Sequence, residues 1–100
     1  MVKHIILWQL DEKLTACEKT EILKNAKINL ESLNGKIEGL IDIKVITDKL
    51  GTSNADMMLD STFDCEEALK NYSVNPLHTA VADKYVRPYI KIRSCIDFKV

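Results

Sequence analysis

Hydrophobic and polar residues alternate along four segments of the chain. Val2–Leu10 is apolar on both alternating faces, which is typical of a central strand that is covered on both sides. Leu40–Ile46 and Ala55–Phe63 also alternate, and the polar loop around Gly51 joins them as a hairpin. Ile90–Phe98 alternates as well. The pattern therefore predicts four strands.

Helical spacing separates the first strand from the second. Thr15 and Glu18 have the spacing of a capping box, in which each residue bonds a backbone N–H of the other. An apolar stripe at three- and four-residue spacing follows, formed by Leu23, Ala26, Leu30 and Leu33. Gly35 supplies the left-handed residue that ends many helices. The segment predicts one amphipathic helix.

Two shorter helices are predicted between the third and fourth strands. Asp64–Glu67 repeats the capping-box spacing and predicts a helix that ends near Tyr72. Asn75 can then cap another helix that has Pro76 at its first position, where the missing N–H costs nothing. Pro88 ends this helix, and the apolar residues Leu77, Val81 and Tyr85 line one of its faces.

The element order is β-α-β-β-α(α)-β, which predicts a ferredoxin-like α+β fold with one antiparallel four-stranded sheet. One hundred residues correspond to a single domain, 1–100. On the second strand, Ile41, Ile43 and Val45 are expected to face inward. The sheet face without helices is expected to carry apolar residues among charged ones: Ile5, Leu7, Met58 and Cys95 with Asp42, Lys44, Asp56, Asp60, Arg93 and Asp97. Two copies packed sheet to sheet would bury it, so a homodimer is expected.

Composition and charge narrow the class of protein. A hydrophobic fraction of 46% with 29% charged residues argues against disorder. The net charge of −1 argues against a nucleic-acid partner, and no stretch approaches the roughly 20 apolar residues of a membrane span. Three cysteines without a CxxC pair, Cys17, Cys65 and Cys95, are typical of reduced thiols. We therefore expect a cytoplasmic protein that has no membrane association.

Two segments make the chain similar to the stress-responsive A/B barrel (Dabb) family. The first is the opening strand Val2–Trp8, with a basic residue and a His near its start. The second runs from Tyr72 through an Asn-Pro-x-His segment to Tyr89, and Asp97–Phe98 near the end of the chain also fits. The resemblance covers the whole chain, and the Asn-Pro-x-His segment is its most specific part. It implies a homodimer whose two sheets form a shared α+β barrel.

The resemblance leaves the activity open. Many members carry only a stress-associated label, while a plant branch contains polyketide cyclases that use a Tyr and a His in an apolar pocket. Related dimeric barrels include cofactor-free monooxygenases and haem-handling enzymes. Because one fold hosts many functions, three hypotheses stand: a module that binds a small apolar ligand, a cyclase-type enzyme, and a monooxygenase-like or haem-handling relative.

His78 and Tyr72 are the candidate catalytic residues. His78 lies in the first turn of its predicted helix, where the helix dipole disfavours a charged imidazolium and so favours a neutral general base. The Tyr72 hydroxyl could orient a carbonyl or stabilise an enolate. A structural His and a packed Tyr would give the same pattern. The residue before Pro76 is Asn rather than His, which removes one possible second imidazole, so a cyclase-type site would rest on His78 and Tyr72 alone.

The candidate ligand-binding residues are His4, Ile6, Trp8 and Leu59. His4 alternates with Ile6 and Trp8, so these side chains should share the face that meets the helices. Each is also an ordinary core residue. No metal-ligand spacing, Gly-rich phosphate loop or nucleophile elbow occurs, so no metal and no cofactor are expected. Arg93 and Asp97 are expected to form a structural ion pair.

Overall fold

Four strands form one antiparallel sheet in the computed structural model, which describes residues 1–100. The strands are β1 Val2–Leu10, β2 Leu40–Ile46, β3 Met57–Phe63 and β4 Ile90–Lys99. Their order in the sheet is β2-β3-β1-β4, so β1 is central and β4 is an edge strand. Three helices complete the fold: α1 Ala16–Glu31, α2 Glu66–Val74 and α3 Pro76–Tyr85, and a short 3-10 helix, Arg87–Tyr89, precedes β4. The predicted ferredoxin-like α+β fold is confirmed.

Two of the three predicted helix starts are confirmed in atomic detail. The Glu18 N–H donates to Thr15 Oγ1 at 3.1 Å, and the Thr15 N–H donates to Glu18 Oε1 at 3.0 Å. At the start of α3, the Leu77 N–H donates to Asn75 Oδ1 at 2.9 Å. These bonds satisfy backbone donors that a helix start otherwise leaves without partners.

The capping box predicted for α2 was wrong. Asp64 still belongs to the end of the sheet, because its N–H donates to the Gly39 carbonyl at 2.9 Å. The helix therefore begins one residue later than predicted, with Cys65 as its cap and no side-chain capping bond. It also continues to Val74, so that Tyr72 lies in its last turn.

The core lies between the sheet and the helices. Alternate residues of β1 are buried there, and Ala26 and Leu30 of α1 belong to the same buried cluster as Val45 and Phe63. The expected inward position of Ile41 was wrong: it is 44% exposed, because β2 has an irregular register between Leu40 and Asp42. Leu77 of α3 is also exposed, while Val81 and Tyr85 pack against the core as predicted.

The sheet face that has no helices carries a different set of β4 residues from the one predicted. Cys95 pairs with Ile6, Asp97 with His4 and Arg93 with Trp8, so all three face the helix side. Strand β4 instead presents apolar side chains to the open face: Ile92, Ile96 and Phe98. Asp56 lies just before β3, accepts from the Leu10 N–H at 2.8 Å and pairs with Lys49.

Two of the open-face charges, Lys3 and Asp60, are paired within the chain. Lys3 Nζ lies 2.5 Å from Asp60 Oδ1 and donates to Thr62 Oγ1 at 3.0 Å. The open face is therefore polar on one side and apolar along β4. None of the helices has the length and apolar character needed to cross a membrane.

Candidate functional site

A cavity of about 730 Å³ lies between the sheet and the second half of the chain. Its walls come from β1, α2, α3, the short 3-10 helix and β4. Eight of the fifteen residues that line it are hydrophobic. The cavity therefore combines an apolar interior with a substantial polar surface.

Five of the six predicted site residues line this one cavity. They are His4, Ile6, Trp8, Tyr72 and His78. Leu59 does not line it: this residue pairs with Ile6 across the sheet, is 1% exposed, and belongs to the core. The structure thus brings together the candidate catalytic pair and three of the four candidate ligand-binding residues.

The break between α2 and α3 positions Tyr72 and His78. Asn75 is extended, with ψ 128°, so one helix ends and the next begins within two residues. Tyr72 occupies the last turn of α2, and His78 the first turn of α3. Their ring centroids are 4.1 Å apart with 34° between the planes. The rings therefore pack face against face in a tilted arrangement.

Both residues hold a buried polar atom that has no partner. The Tyr72 hydroxyl and His78 Nδ1 are enclosed, and neither forms a hydrogen bond within the protein. Buried polar groups are nearly always paired, because an unpaired one costs about 1–3 kcal/mol. Two such atoms on neighbouring rings beside a cavity are what a ligand-binding site presents before its ligand supplies the partners.

The surroundings keep both groups neutral near physiological pH. Burial raises the pKa of the Tyr72 hydroxyl, so this group is a hydrogen-bond donor and not a phenolate. Burial also lowers the pKa of His78, and the positive charge of Arg87 adds to the effect, while the nearby Ser73 carbonyl opposes it. His78 therefore stays a neutral imidazole, which is the form that accepts a proton.

His4 connects this pair to a polar cluster on β4. Its ring centroid lies 6.3 Å from that of Tyr72, in an edge-to-face arrangement. Its Nδ1 forms a short hydrogen bond with an Asp97 carboxylate oxygen and lies 3.7 Å from Cys95 Sγ. His4 is only 8% exposed, so little water reaches its ring.

Sequence reasoning missed this cluster and assigned Asp97 the wrong partner. The predicted Arg93–Asp97 ion pair does not form, and Asp97 pairs with His4 instead. The two-residue spacing of Cys95 and Asp97 does indicate a common strand face. Only the pairing of β4 with β1 shows that this face is the one that carries His4.

Three cationic side chains stand at the cavity: Arg87, Lys91 and Arg93. Arg87 pairs with Asp83, and Lys91 pairs with Glu12. Arg93 has no ion pair. Its charge is therefore the one of the three that remains free to meet a polar group of a bound molecule.

The chain is a ferredoxin-like α+β domain with a cavity between its sheet and helices, and comparison with models of protein families identifies its family. The model of the stress responsive A/B barrel domain (Dabb) matches residues 2–100. The chain therefore belongs to the stress responsive A/B barrel family, as its sequence predicted.

Individual relatives differ in what is known of them. The chain is 25% identical to olivetolic acid cyclase of Cannabis sativa over 84 residues, which are 84% of this chain and 82% of the cyclase. A dimeric ferredoxin-like protein of unknown function from Bacteroides fragilis superposes with a TM-score of 0.92 at 28% identity, covering 99% of this chain and 95% of that one. Hydroxynitrile lyase of Passiflora edulis shares the fold, with a TM-score of 0.70 at 16% identity over 97% and 90% of the two chains.

Proposed function

We propose that the protein is a homodimeric module that binds a small organic molecule in the cavity between β1 and α2–α3. The observation that carries the proposal is the pair of unpartnered atoms, the Tyr72 hydroxyl and His78 Nδ1, on adjacent rings of the cavity wall. A ligand oxygen that reaches these rings would satisfy a donor whose burial otherwise costs free energy.

The volume and lining of the cavity support a ligand of moderate size that has both apolar and polar parts. About 730 Å³ falls within the roughly 300–1,000 Å³ range of sites for organic ligands. Ile6, Trp8 and Leu69 supply apolar wall, while the Tyr72–His78 pair supplies a polar end. A flat ring or short chain that carries a carbonyl or hydroxyl group fits this distribution.

A second candidate function is proton-transfer catalysis of the polyketide-cyclase type. In this reaction, neutral His78 would take a proton from a carbon beside a carbonyl group. The Tyr72 O–H would donate a hydrogen bond to the oxygen on which negative charge develops. The similarity to olivetolic acid cyclase supports this candidate, and so does the lowered pKa of His78.

The dimer would form through the open face of the sheet. Four apolar side chains there are between 42% and 60% exposed: Leu7, Ile92, Ile96 and Phe98. Burying such a surface is favourable at about 25 cal/mol per Å², and an edge strand gains from being covered. The similar protein from Bacteroides fragilis is dimeric, which supports the same assembly here.

We propose a cytoplasmic location on the basis of the three free cysteines. Cys17, Cys65 and Cys95 are all free and exposed. Unpaired exposed thiols persist in reducing compartments. Counting reactive thiols on protein taken directly from cells would test this: three per chain are expected, and a disulfide-linked form would contradict it.

Native mass spectrometry of freshly purified protein, followed by a ligand screen, tests the proposed function. The expected result is a mass twice that of the chain, with ligands from the screen quenching or shifting the fluorescence of Trp8, which lies in the cavity wall. Tyr72→Phe should weaken binding, while the matched control Tyr89→Phe, outside the cavity, should not.

Product analysis separates the two candidate functions. A ligand that binds and is recovered unchanged supports the binding module. Time-dependent product that disappears in His78→Ala, with the dimer intact, supports the enzyme. Equal affinity of the wild type and Tyr72→Phe for every ligand found would contradict the site.

A further inference from the structure

We propose that His4, Cys95 and Asp97 form a binding site for a thiophilic divalent metal ion, with Zn²⁺ as the representative ion. The three side chains offer one imidazole nitrogen, one sulfur and one carboxylate oxygen. These ligand atoms all lie within 4.8 Å of one another. The proposal does not depend on the organic ligand proposed above.

The sheet brings the three ligands together by its register. His4 is paired with Asp97, and Cys95 is paired with Ile6, two residues further along β1. Side chains in such direct and diagonal positions on one sheet face lie within reach of each other. The ligands thus come from two hydrogen-bonded strands and not from a loop, so their backbone positions are fixed before any metal binds.

Two of the three distances already match a tetrahedral site. Zinc bonds of about 2.3 Å to sulfur and about 2.1 Å to nitrogen or oxygen place neighbouring ligand atoms about 3.5 Å apart. Cys95 Sγ lies 3.7 Å from His4 Nδ1 and 3.5 Å from the Asp97 carboxylate. His4 and Asp97 are closer because they share a hydrogen bond, so an ion would have to replace their proton and move the two ligand atoms about 1 Å further apart.

The chain leaves room for that movement. The Asp97 side chain is 45% exposed and lies on an edge strand, so its carboxylate can turn aside. As thiolate and carboxylate ligands, Cys95 and Asp97 would together offset the two charges of the ion. Arg93 precedes Cys95 and Asp97 on the same face of β4, and its positive charge repels a cation. The attraction of the two anionic ligands for the ion would offset this repulsion.

The donor set and the open side indicate the class of metal. Sulfur and imidazole ligands select zinc, cobalt or copper, whereas magnesium and calcium require oxygen ligands. Three protein ligands leave one tetrahedral position, and all three line the cavity. The fourth position would therefore be open to water or to a molecule in that cavity.

Cobalt titration of the reduced, chelator-treated protein tests the site. Co²⁺ reports thiolate ligation by a charge-transfer band and tetrahedral geometry by intense visible bands. We expect one Co²⁺ per chain, displaced by Zn²⁺ and not by excess Mg²⁺. Cys95→Ser should abolish the charge-transfer band and weaken Zn²⁺ binding by on the order of tenfold or more.

Controls come from the other cysteines and from Asp97. Cys17 and Cys65 are exposed and lie outside this cavity, so a Cys17→Ser, Cys65→Ser protein should bind as the wild type does. Asp97→Asn should keep the thiolate band but lower the affinity. Both Cys95 and Asp97 are exposed, so these variants should fold, which far-ultraviolet circular dichroism would verify. A charge-transfer band that persists in Cys95→Ser, or no uptake of Co²⁺ by the wild type, would overturn the proposal.

Discussion

Replacing Tyr72 with Phe should make the protein more stable while weakening its proposed site. Tyr72 is 1% exposed, and its hydroxyl has no hydrogen-bond partner in the protein. An unpaired buried hydroxyl costs about 1–3 kcal/mol relative to its hydrated state in the unfolded chain. Phe keeps the ring and therefore its packing against Phe63 and His78, whose ring centroids lie 4.9 Å and 4.1 Å from that of Tyr72. The free energy of unfolding should therefore rise by about 1 kcal/mol or more.

Thermal and urea unfolding measure this gain directly. For a domain of this size, 1 kcal/mol raises Tm by roughly 4–8 °C. The protein concentration must be the same for each variant, because the Tm of a dimer depends on it. Tyr89→Phe is the matched control: Tyr89 is partly exposed and outside the cavity, so its free energy of unfolding should change by less than about 0.5 kcal/mol.

The opposite changes in stability and binding are what test the reasoning. Any ligand found should bind Tyr72→Phe more weakly, by about tenfold if the lost hydrogen bond is worth about 1.4 kcal/mol. A Tyr72→Phe protein that is less stable than the wild type would refute the argument, because the hydroxyl would then have a partner in the folded chain.

Three further predictions follow from the structure. The urea midpoint should fall as the pH drops below about 6.5, because His78 binds its proton more weakly in the folded than in the unfolded chain. His78→Gln should reduce this fall, and an equal fall of the midpoint in wild type and variant would contradict the prediction. Gly39→Ala should lower Tm more than Gly35→Ala: both glycines have φ above +80°, but only at Gly39 would the new Cβ lie 2.5 Å from Ala68 Cβ. Equal losses would contradict that clash. Ile96→Asp should yield a monomer by sedimentation, and a persistent dimer would place the interface elsewhere.

The elements could be predicted because their signals are local. The Thr15 capping box and the Asn75 cap each depend on residues within three positions, and both occur as expected. The pairing of Tyr72 with His78 is also local, since a single extended residue joins their helices. Five of the six candidate residues lie on one cavity, but tertiary packing, and not a local signal, brings the three on β1 to Tyr72 and His78.

Which side chains of β4 point toward the helices could not be predicted from its hydrophobic pattern. Alternation separates Ile92, Ile96 and Phe98 from Arg93, Cys95 and Asp97 correctly, but it does not say which set meets the helices. In a monomer the apolar set would be expected inside. Here the edge strand turns that set to the open face, where a second copy would cover it, and the polar set lines the cavity. The register with β1 decides the matter, and that register joins residues more than ninety positions apart, as in His4 and Asp97.

His4 lies at both proposed sites, so binding at one is expected to change the affinity at the other. Its ring meets Tyr72 edge to face, while its Nδ1 meets Asp97 and Cys95. An ion on Nδ1 would fix the orientation of the ring and place positive charge beside the cavity. If Zn²⁺ changes the affinity for an organic ligand by some factor, that ligand must change the affinity for Zn²⁺ by the same factor. We therefore expect the affinity for an organic ligand to differ between buffer with a chelator and buffer with Zn²⁺. Equal affinities would show that the two sites act independently.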